Sequence, residues 1–308
     1  MSGKALLSPK ELALAIGVSE STIKRWADDG LVRVSRTLGG HRRILLGEAL
    51  RFIRHNKATV VRPEMLGLTE LETVKSDVSV KEEGQLGEKM YNALASGDGA
   101  KARGLMLSAY LGGRPLAWLF DGPIRQAMHR LGELWQHNEM GVLIEHRATD
   151  LCISAINQLR ELVHNQDMAQ EPSGNPPPPT RLLALGGAVE HDPYILPTLM
   201  AASVMAEVGY QTINFGPHTP VDVFIKAAKE YRPAIIWVSC SVRDHPNPVG
   251  DSIQKLADLM HEIQSHILLG GRGKEVLWQA SHPHITEVQT MAQVMEFAQL
   301  RLKKEKTE

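Results

Sequence analysis

The amino-acid sequence predicts a multidomain protein that is α-helical in its N-terminal half and α/β in its C-terminal half. Apolar residues recur at helical spacing between residues 87 and 163. A proline-rich segment at 166–180 interrupts this pattern and is expected to be a linker. Beyond the linker, short apolar runs alternate with helical stretches, which is typical of a doubly wound parallel sheet.

Charge is distributed unevenly along the chain. The 308 residues have a formal net charge of −1, but residues 1–57 contain eleven Lys or Arg and only five Asp or Glu. The first segment is therefore at +6 and the remainder at −7. A basic head on an acidic body predicts a polyanionic partner for the head alone.

The cysteine content and hydropathy indicate a cellular compartment. Cys152 and Cys240 are the two cysteines, and neither belongs to a motif that would build a disulfide framework. The first residues lack the apolar core of a signal peptide, and no run of about 18 apolar residues is present. We therefore expect a cytoplasmic protein without membrane contact.

Residues 1–75 are predicted to form a helix-turn-helix domain. Ser8 and Glu11 form the capping box of a first helix, with proline at its first position. Gly17 supplies a turn, and Ser19 can cap a second helix that runs through Asp28. This second helix is placed to enter the major groove of double-stranded DNA.

A two-stranded wing follows, in which "LVRVSRTLGGHRRILL" alternates in polarity and turns at Gly39-Gly40. With this wing, the head resembles the MerR family of transcription regulators over residues 5 to about 55. The resemblance implies DNA contacts from the second helix and the wing, through Thr22, Lys24, Arg25, Arg36, His41, Arg42 and Arg43. Guanidinium groups on a rigid turn make strong phosphate contacts, which agrees with this assignment.

Residues 80–165 are predicted to form a bundle of four amphipathic helices, near 87–96, 99–111, 115–137 and 141–163. The segment "WQHNEMGVLIEH" crosses the break between the last two helices. The break places Trp135 at the end of one helix and Glu145 and His146 on the next. The three side chains can therefore converge at one end of the bundle.

The spacing of Trp, nine residues and Glu-His resembles the helical half of the CarH and LitR photoreceptors, which are MerR-headed repressors that bind adenosylcobalamin. The resemblance implies that Trp135, Glu145 and His146 lie over the upper face of the corrin ring, near the adenosyl group. Gln136 departs from the pattern, because the photoreceptors commonly have a histidine there that ligates cobalt after light exposure. This departure weakens what the resemblance implies about a response to light.

Residues 181–305 are predicted to form a flavodoxin-like parallel sheet, with a ligand beyond the carboxyl ends of its strands. This domain resembles the cobalamin-binding version of the fold. In that version, a Ser-x-Ser/Thr motif follows the third strand and Gly-Gly follows the fourth. The corresponding residues here are Ser239, Ser241, Gly270 and Gly271.

The cobalt-ligand histidine of the cobalamin-binding fold has two candidate counterparts. Aligned without gaps, the motif begins at Asp192, and Tyr194 stands in the place of the histidine. With three extra residues before the helix, His191 becomes the candidate cobalt ligand. Proline is favourable in the first helical position, so the helix is expected to begin near Pro197, after a remodelled loop.

A tyrosine phenol, with an ordinary pKa near 10, is a poor ligand for cobalt at neutral pH. The cofactor prediction therefore stays open between adenosylcobalamin, another planar ligand and none. A corrinoid would bind with its own base on cobalt or by contacts alone.

These features predict a transcriptional regulator without enzymatic activity, most simply a repressor. Its C-terminal half is expected to sense a ligand and to control assembly on the operator as a homodimer or homotetramer. One alternative is a cobalamin-independent MerR-type regulator whose sensor half is only a scaffold. A corrinoid carrier or methyltransferase component is a further alternative, against which the basic head argues.

Overall fold

The computed structural model of the chain describes residues 6–77, 83–135, 139–170, 181–242, 250–278 and 280–305. The chain divides into two compact units, Met1–Pro178 and Pro179–Glu308. Most of the proline-rich segment expected as a linker, residues 171–180, lies outside the described residues.

The first unit begins with a small head of three helices and three short strands. In chain order these are β1 (Leu6–Leu7), α1 (Pro9–Ile16), α2 (Glu20–Asp28), β2 (Ser35–Arg36), β3 (Arg42–Leu45) and α3 (Leu46–Asn56). Ser8 and Glu11 form the expected capping box of α1, and Gly17 ends this helix in the left-handed conformation, with φ of 72°. Because β3 pairs with both β1 and β2, the strands form a three-stranded antiparallel sheet.

The head has its own apolar core, to which all three helices contribute. Ile23 of α2 is fully buried. Trp26, one turn further along α2, stacks on Phe52 of α3 with ring centroids 5.1 Å apart. These contacts direct the remaining surface of α2 outward, as its helical spacing predicts.

The segment after the head is folded and packed. It contains two 3-10 helices, Pro63–Leu66 and Thr69–Asp77. Leu66, Leu68 and Leu71 are buried, although their spacing fits neither an α-helix nor a strand. This is why the segment shows weak periodicity in the sequence.

The head contacts the helical bundle through α3. The guanidinium group of Arg54 lies 3.8 Å from the ring centroid of Tyr110. The same group donates hydrogen bonds to the carbonyl oxygens of Tyr110 at 2.7 Å and Arg114 at 2.9 Å. Head and bundle therefore form one compact unit.

The bundle follows the predicted helical pattern with one interruption. Its helices are α4 (Glu83–Ser96), α5 (Gly99–Leu111), α6 (Leu116–Leu119), α7 (Arg125–Trp135) and α8 (Glu139–Gln170). A π-helical turn, Phe120–Ile124, joins α6 to α7 where the sequence predicts a continuous helix. Pro123 lies inside this turn, and its missing N–H removes one helical hydrogen bond, which accounts for the irregularity.

The second unit is a five-stranded parallel sheet flanked by helices. The strands are β4 (Leu183–Ala188), β5 (Gln211–Asn214), β6 (Ile235–Ser239), β7 (His266–Gly270) and β8 (Ile285–Val288). The helices are α9 (Ile195–Val208), α10 (Val221–Tyr231), α11 (Gly250–Glu262), α12 (Lys274–Leu277) and α13 (Met291–Glu305). The strand order is β5-β4-β6-β7-β8, which is the flavodoxin-like order that the sequence predicts.

The two faces of this sheet are packed differently. Alternate residues such as Leu185, Ile236 and Val238 belong to a large apolar cluster that includes residues of α10 and α11. The opposite face packs against α9, and its β4 positions are the small residues Ala184 and Gly186. The difference leaves room on the α9 side for a large side chain from the neighbouring strand.

Helix α9 begins at Ile195, two residues before the predicted position near Pro197. Pro197 is then the third helical residue. The N–H groups of the first turn have no partner within a helix, so proline is tolerated there without loss of a hydrogen bond. The loop before the helix ends at Tyr194, which is its N-cap residue.

Among the helices that the structure describes, none combines the length and the apolar character needed to cross a bilayer.

The close packing of Gly186 can be tested by adding a methyl group. In Gly186→Ala, the new methyl would lie 2.5 Å from the indole ring of Trp237 and closer still to the Trp237 carbonyl oxygen. We expect the free energy of unfolding of the second unit to fall by about 1–3 kcal/mol, because overpacking forces the backbone to shift. The measurement is urea denaturation followed by circular dichroism.

Gly132→Ala is the matched control, because nothing lies within 4 Å of a methyl group at this position in α7. It should raise stability by about 0.5–1 kcal/mol through helix propensity. Equal effects of the two variants would contradict the packing described for Gly186.

Candidate functional site

The second helix of the head presents a polar surface to solvent. The Ser19 side chain caps α2 by accepting a hydrogen bond from the backbone N–H of Thr22 at 3.1 Å. Lys24 and Arg25 are exposed, and Thr22 is half-buried. Lys24 forms an ion pair with Glu20, one turn earlier, at 2.8 Å. Because the pair is exposed, it contributes little stability and leaves Lys24 able to change partner.

The tip of the wing is a tight hairpin turn. The backbone N–H of Thr37 donates to the carbonyl oxygen of His41 at 3.0 Å, and Gly40 N–H donates to the carbonyl oxygen of Thr37 at 2.8 Å. Gly40 has a φ of 77°, which favours glycine at this position. Arg36 and His41 are exposed on this turn, and Arg43 is half-buried. All four predicted wing residues, Arg42 included, therefore lie on one rigid hairpin.

Arg42 is engaged inside the head. Its Nη2 atom lies 2.6 Å from Asp28 Oδ1, and its Nη1 atom donates to the Lys24 carbonyl oxygen at 2.9 Å. The Arg42 side chain is only 18% exposed. It therefore links the wing to the C-terminal part of α2, a connection that sequence reasoning missed because the partners are fourteen and eighteen residues away.

The predicted bundle residues lie near the ends of α7 and α8. Trp135 is the last residue of α7, and its side chain is outside the described part of the structure. Glu145 Oε2 lies 3.6 Å from His146 Nε2, while Glu145 Oε1 accepts a hydrogen bond from the Thr149 hydroxyl at 3.0 Å. His146 is 74% exposed. The Glu-His pair thus lies at the surface, and Thr149, one helical turn later, holds its carboxylate.

Apolar side chains are exposed beside this pair. Met140 and Leu143, in the first turns of α8, are 61% and 58% exposed. The start of α8 therefore combines apolar contact area with a carboxylate and an imidazole, which suits an amphipathic ligand.

The carboxyl edge of the sheet in the second unit is organised by Asp192, which is fully buried. Its Oδ1 atom accepts a hydrogen bond from the backbone N–H of Tyr194 at 2.9 Å, and its Oδ2 atom accepts one from Ser241 N–H at 2.6 Å. Burial raises the pKa of the Asp192 carboxyl group above its ordinary value, and the two hydrogen bonds act in the opposite direction. The side chain thus joins the loop after β4 to the loop after β6.

The two candidate ligand positions differ in environment. His191 has a left-handed backbone conformation, with φ of 65°, in the turn that precedes Asp192. Tyr194 is 55% exposed at the start of α9. Both residues lie on the loop at the carboxyl end of β4, where the fold predicts ligand contacts.

The remaining predicted residues lie at the same edge. The Ser239 carbonyl oxygen accepts a hydrogen bond from Val189 N–H at 3.0 Å, and the Gly270 carbonyl oxygen accepts one from Cys240 N–H at 2.9 Å. Gly271 has a φ of 102°, and a methyl group there would collide with the Cys240 backbone. This glycine is therefore required by the packing of the chain itself.

Ser239 has a further property that bears on binding. It is 7% exposed, and its hydroxyl group has no hydrogen-bond partner among the described residues. A buried hydroxyl group without a partner is unfavourable. A ligand group at the sheet edge would supply the missing hydrogen bond.

A polar chain of three side chains lies behind Ser239, and sequence reasoning did not identify it. Trp237 Nε1 donates to the Thr198 hydroxyl oxygen at 2.8 Å, and the Thr198 hydroxyl donates to Asn214 Oδ1 at 2.8 Å. Asn214 Oδ1 also accepts from Gly216 N–H at 3.1 Å. The chain thus joins β6, α9 and the end of β5.

Histidines cluster at the opposite edge of the sheet, before β7 and β8. His284 Nδ1 lies 2.6 Å from the Ser265 carbonyl oxygen, and His284 Nε2 lies 2.9 Å from His261 Nδ1. Within the described ranges, no three His, Cys, Asp or Glu side chains are arranged to hold a metal ion.

Two family models match separate parts of the chain. The model described as MerR family regulatory protein matches residues 8–44, and the model described as B12 binding domain matches residues 86–160. The first match covers the helix-turn-helix and most of the wing, and the second covers the helical bundle. No curated protein matches the chain.

Solved structures of corrinoid proteins are similar at low identity. The monomethylamine corrinoid protein of Methanosarcina barkeri is 14% identical, with 71% of this chain and 99% of that chain covered and a TM-score of 0.49. A cobalamin-binding protein of Desulfitobacterium hafniense DCB-2 is 17% identical, with coverages of 76% and 98% and a TM-score of 0.36. The methanol:cobalamin methyltransferase complex MtaBC of Methanosarcina barkeri is 15% identical, with coverages of 81% and 93% and a TM-score of 0.34.

The two family matches fall on domains that the fold shows independently. The chain therefore joins a MerR-family N-terminal domain to a B12 binding domain, and this is the architecture of the CarH/LitR-like regulators.

Proposed function

We propose that this protein is a transcriptional regulator that binds duplex DNA through its head and senses a corrinoid through the rest of the chain. The observation that carries the proposal is the presence of both family matches in one chain, at residues 8–44 and 86–160. The functional division that we propose is a DNA-binding domain at 1–75, a bundle at 80–165, a linker predicted at 166–180 and a sheet domain at 181–305. The first five residues of the predicted linker belong to α8, which continues the bundle to Gln170.

The DNA-binding surface consists of α2 and the wing. Cationic and polar groups on these two elements, each exposed or half-buried, would meet the major groove and the flanking phosphates: Thr22, Lys24, Arg25, Arg36, His41 and Arg43. Arg42 has a different role in this proposal. Its bonds to Asp28 and to the Lys24 carbonyl group hold the wing at a fixed position relative to α2.

Candidate corrinoid contacts are proposed for each unit by itself. Those of the first unit are Trp135, Glu145 and His146, supported by the apolar surface at Met140 and Leu143. Those of the second unit are at the carboxyl edge of the sheet: His191, Asp192, Tyr194, Ser239, Ser241, Gly270 and Gly271. When bound, a corrinoid would supply a cobalt-carbon bond or a cobalt ligand exchange as the signal.

The residues of the second unit fit a corrinoid without a ligand from position 194. The Ser239 hydroxyl group is buried without a partner among the described residues, and it can donate to an amide group on the ring periphery. Both Asp192 carboxylate oxygens already accept backbone hydrogen bonds. Adenosylcobalamin is the form that the resemblance favours, with its cobalt bound to its own base.

A signal from the bundle has a structural route to the head. Arg54 of α3 stacks on Tyr110 and donates to two carbonyl groups at the end of α5. A ligand that shifts the bundle would therefore act on the head through α3. Repression, with assembly as a homodimer or homotetramer on the operator, is the simplest output.

The separate roles of Arg42 and Arg43 give a test of the DNA-binding surface. Arg43→Ala should weaken binding to the operator and lower the slope of log affinity against log salt by about 0.9, because one phosphate contact is lost. Arg42→Ala should weaken binding with an unchanged slope, because it displaces the wing. Fluorescence anisotropy with a labelled duplex between 50 mM and 200 mM salt measures both quantities.

Lys255→Ala is the matched control, since it removes one exposed cation from α11 in the second unit. Affinity and slope should not change in this variant. If Arg42→Ala reduces the salt slope as much as Arg43→Ala, Arg42 is a phosphate contact and the positioning role is wrong.

The ligation of cobalt can be tested by electron paramagnetic resonance of the reduced cobalt form in the full chain. We expect nitrogen splitting that does not change when the protein is labelled with nitrogen-15, because the bound nitrogen belongs to the corrinoid. Labelling would change the splitting pattern if a protein imidazole were coordinated. Loss of that pattern in His191→Ala would identify His191 as the ligand and reject the ungapped alignment.

The absorbance spectrum of the protein mixed with adenosylcobalamin and then gel-filtered distinguishes the regulator from a scaffold. Co-elution of the cofactor supports the proposal. Absence of any bound corrinoid, with DNA binding intact, would establish the cobalamin-independent alternative.

A further inference from the structure

On the α9 side of the sheet in the second unit, the side chains of β4 are small and leave space for a side chain of the neighbouring strand β6. The β4 residues that face α9 are Ala184, Gly186 and Ala188, and none of them has a side chain larger than a methyl group. The strand order reverses direction between β4 and β6, because β5 lies on one side of β4 and β6 lies on the other. This is the switch point at which a ligand enters a doubly wound sheet.

The indole ring of Trp237 fills this space from β6. Trp237 pairs in register with Gly186, and it is 3% exposed. An added methyl group at Gly186 would lie 2.5 Å from two atoms of the indole ring. The large side chain on β6 and the small one on β4 therefore fit each other closely.

The position of the indole ring is fixed by its polar end. Trp237 Nε1 donates to Thr198 on α9, and Thr198 donates to Asn214 at the end of β5. A ligand that displaced the ring would leave the indole N–H without its partner, while the Thr198 hydroxyl group would keep its hydrogen bond to Asn214. The hydrogen bonds thus oppose opening of the space.

We infer that Trp237 fills the space between the sheet and α9 at the ligand-binding edge. The second unit would therefore hold a corrinoid by its ring and would not enclose the nucleotide tail. This inference rests on the proposed function. Ser239, two residues further along β6 on the same side, remains as a polar contact at the mouth. The ligand class is therefore corrinoids in general, including cobinamides, which lack the nucleotide.

The test compares adenosylcobalamin with adenosylcobinamide in equilibrium binding to the full chain. We expect dissociation constants within about threefold of each other, because the nucleotide makes no enclosed contact. Cobinamide binding that is weaker by about a hundredfold or more would overturn the inference, because that loss is the scale of a fully buried heterocycle.

Two variants test the role of Trp237 itself. Trp237→Ala should open the space and shift the ratio of the two dissociation constants by about tenfold in favour of adenosylcobalamin. Trp278→Ala is the matched control, because Trp278 is also buried but belongs to the apolar cluster on the opposite face of the sheet. It should leave the ratio unchanged.

The outcomes separate this inference from the proposed function. If adenosylcobalamin binds and adenosylcobinamide does not, the regulator stands and the inference fails. If neither binds, both fail. If the two bind equally and Trp237→Ala leaves the ratio unchanged while the protein stays folded, the assignment to Trp237 is wrong. Trp237→Phe keeps the space filled by an aromatic ring and should retain the ratio of the wild-type chain.

Discussion

The contact between Trp237 and Gly186 is the constraint on which the second unit depends. Gly186 allows the indole ring to cross from β6 over β4, and the ring's N–H fixes Thr198 and, through it, Asn214. The start of α9 and the end of β5 are thereby held against the sheet. Asp192 completes the edge by joining the loops after β4 and β6. The surface at this edge is consequently preformed, and the Ser239 hydroxyl group within it has no hydrogen-bond partner among the described residues.

The head depends on a comparable contact, which is made by the guanidinium group of Arg42 and not by an aromatic ring. Arg42 bridges the wing and α2 and holds these two elements in a fixed relative position. Arg54 then connects the head to the bundle by stacking on Tyr110 and donating to carbonyl groups. Arg42, which is one of the predicted DNA contacts, and Arg54, which is not, thus both make contacts within the protein. Planar guanidinium groups suit this use, because they combine stacking with several hydrogen bonds in a fixed geometry.

Most of the fold followed from periodicity and from residues that end or begin elements. The capping box at Ser8 and Glu11, the glycine turn at Gly17 and the alternation of strands and helices after residue 181 all predicted what the structure shows. The differences have local causes. Pro123 produces a π-helical turn where periodicity predicts a continuous helix, and the leucines of residues 66–71 are buried by 3-10 helices that have no clear period in a sequence.

The sequence by itself determined the kind of protein: a basic winged head, a helical bundle and a flavodoxin-like sheet, with the predicted residues of the second unit at one edge of that sheet. Only the tertiary structure decided which side chains lie against one another. It placed Arg42 against Asp28, and it brought Trp237 over Gly186, which is fifty-one residues earlier in the chain. The physical reason is that periodicity and capping depend on residues that are close together in the sequence. Packing and ion pairing join residues that are far apart in the sequence, and no local pattern predicts which of them will meet.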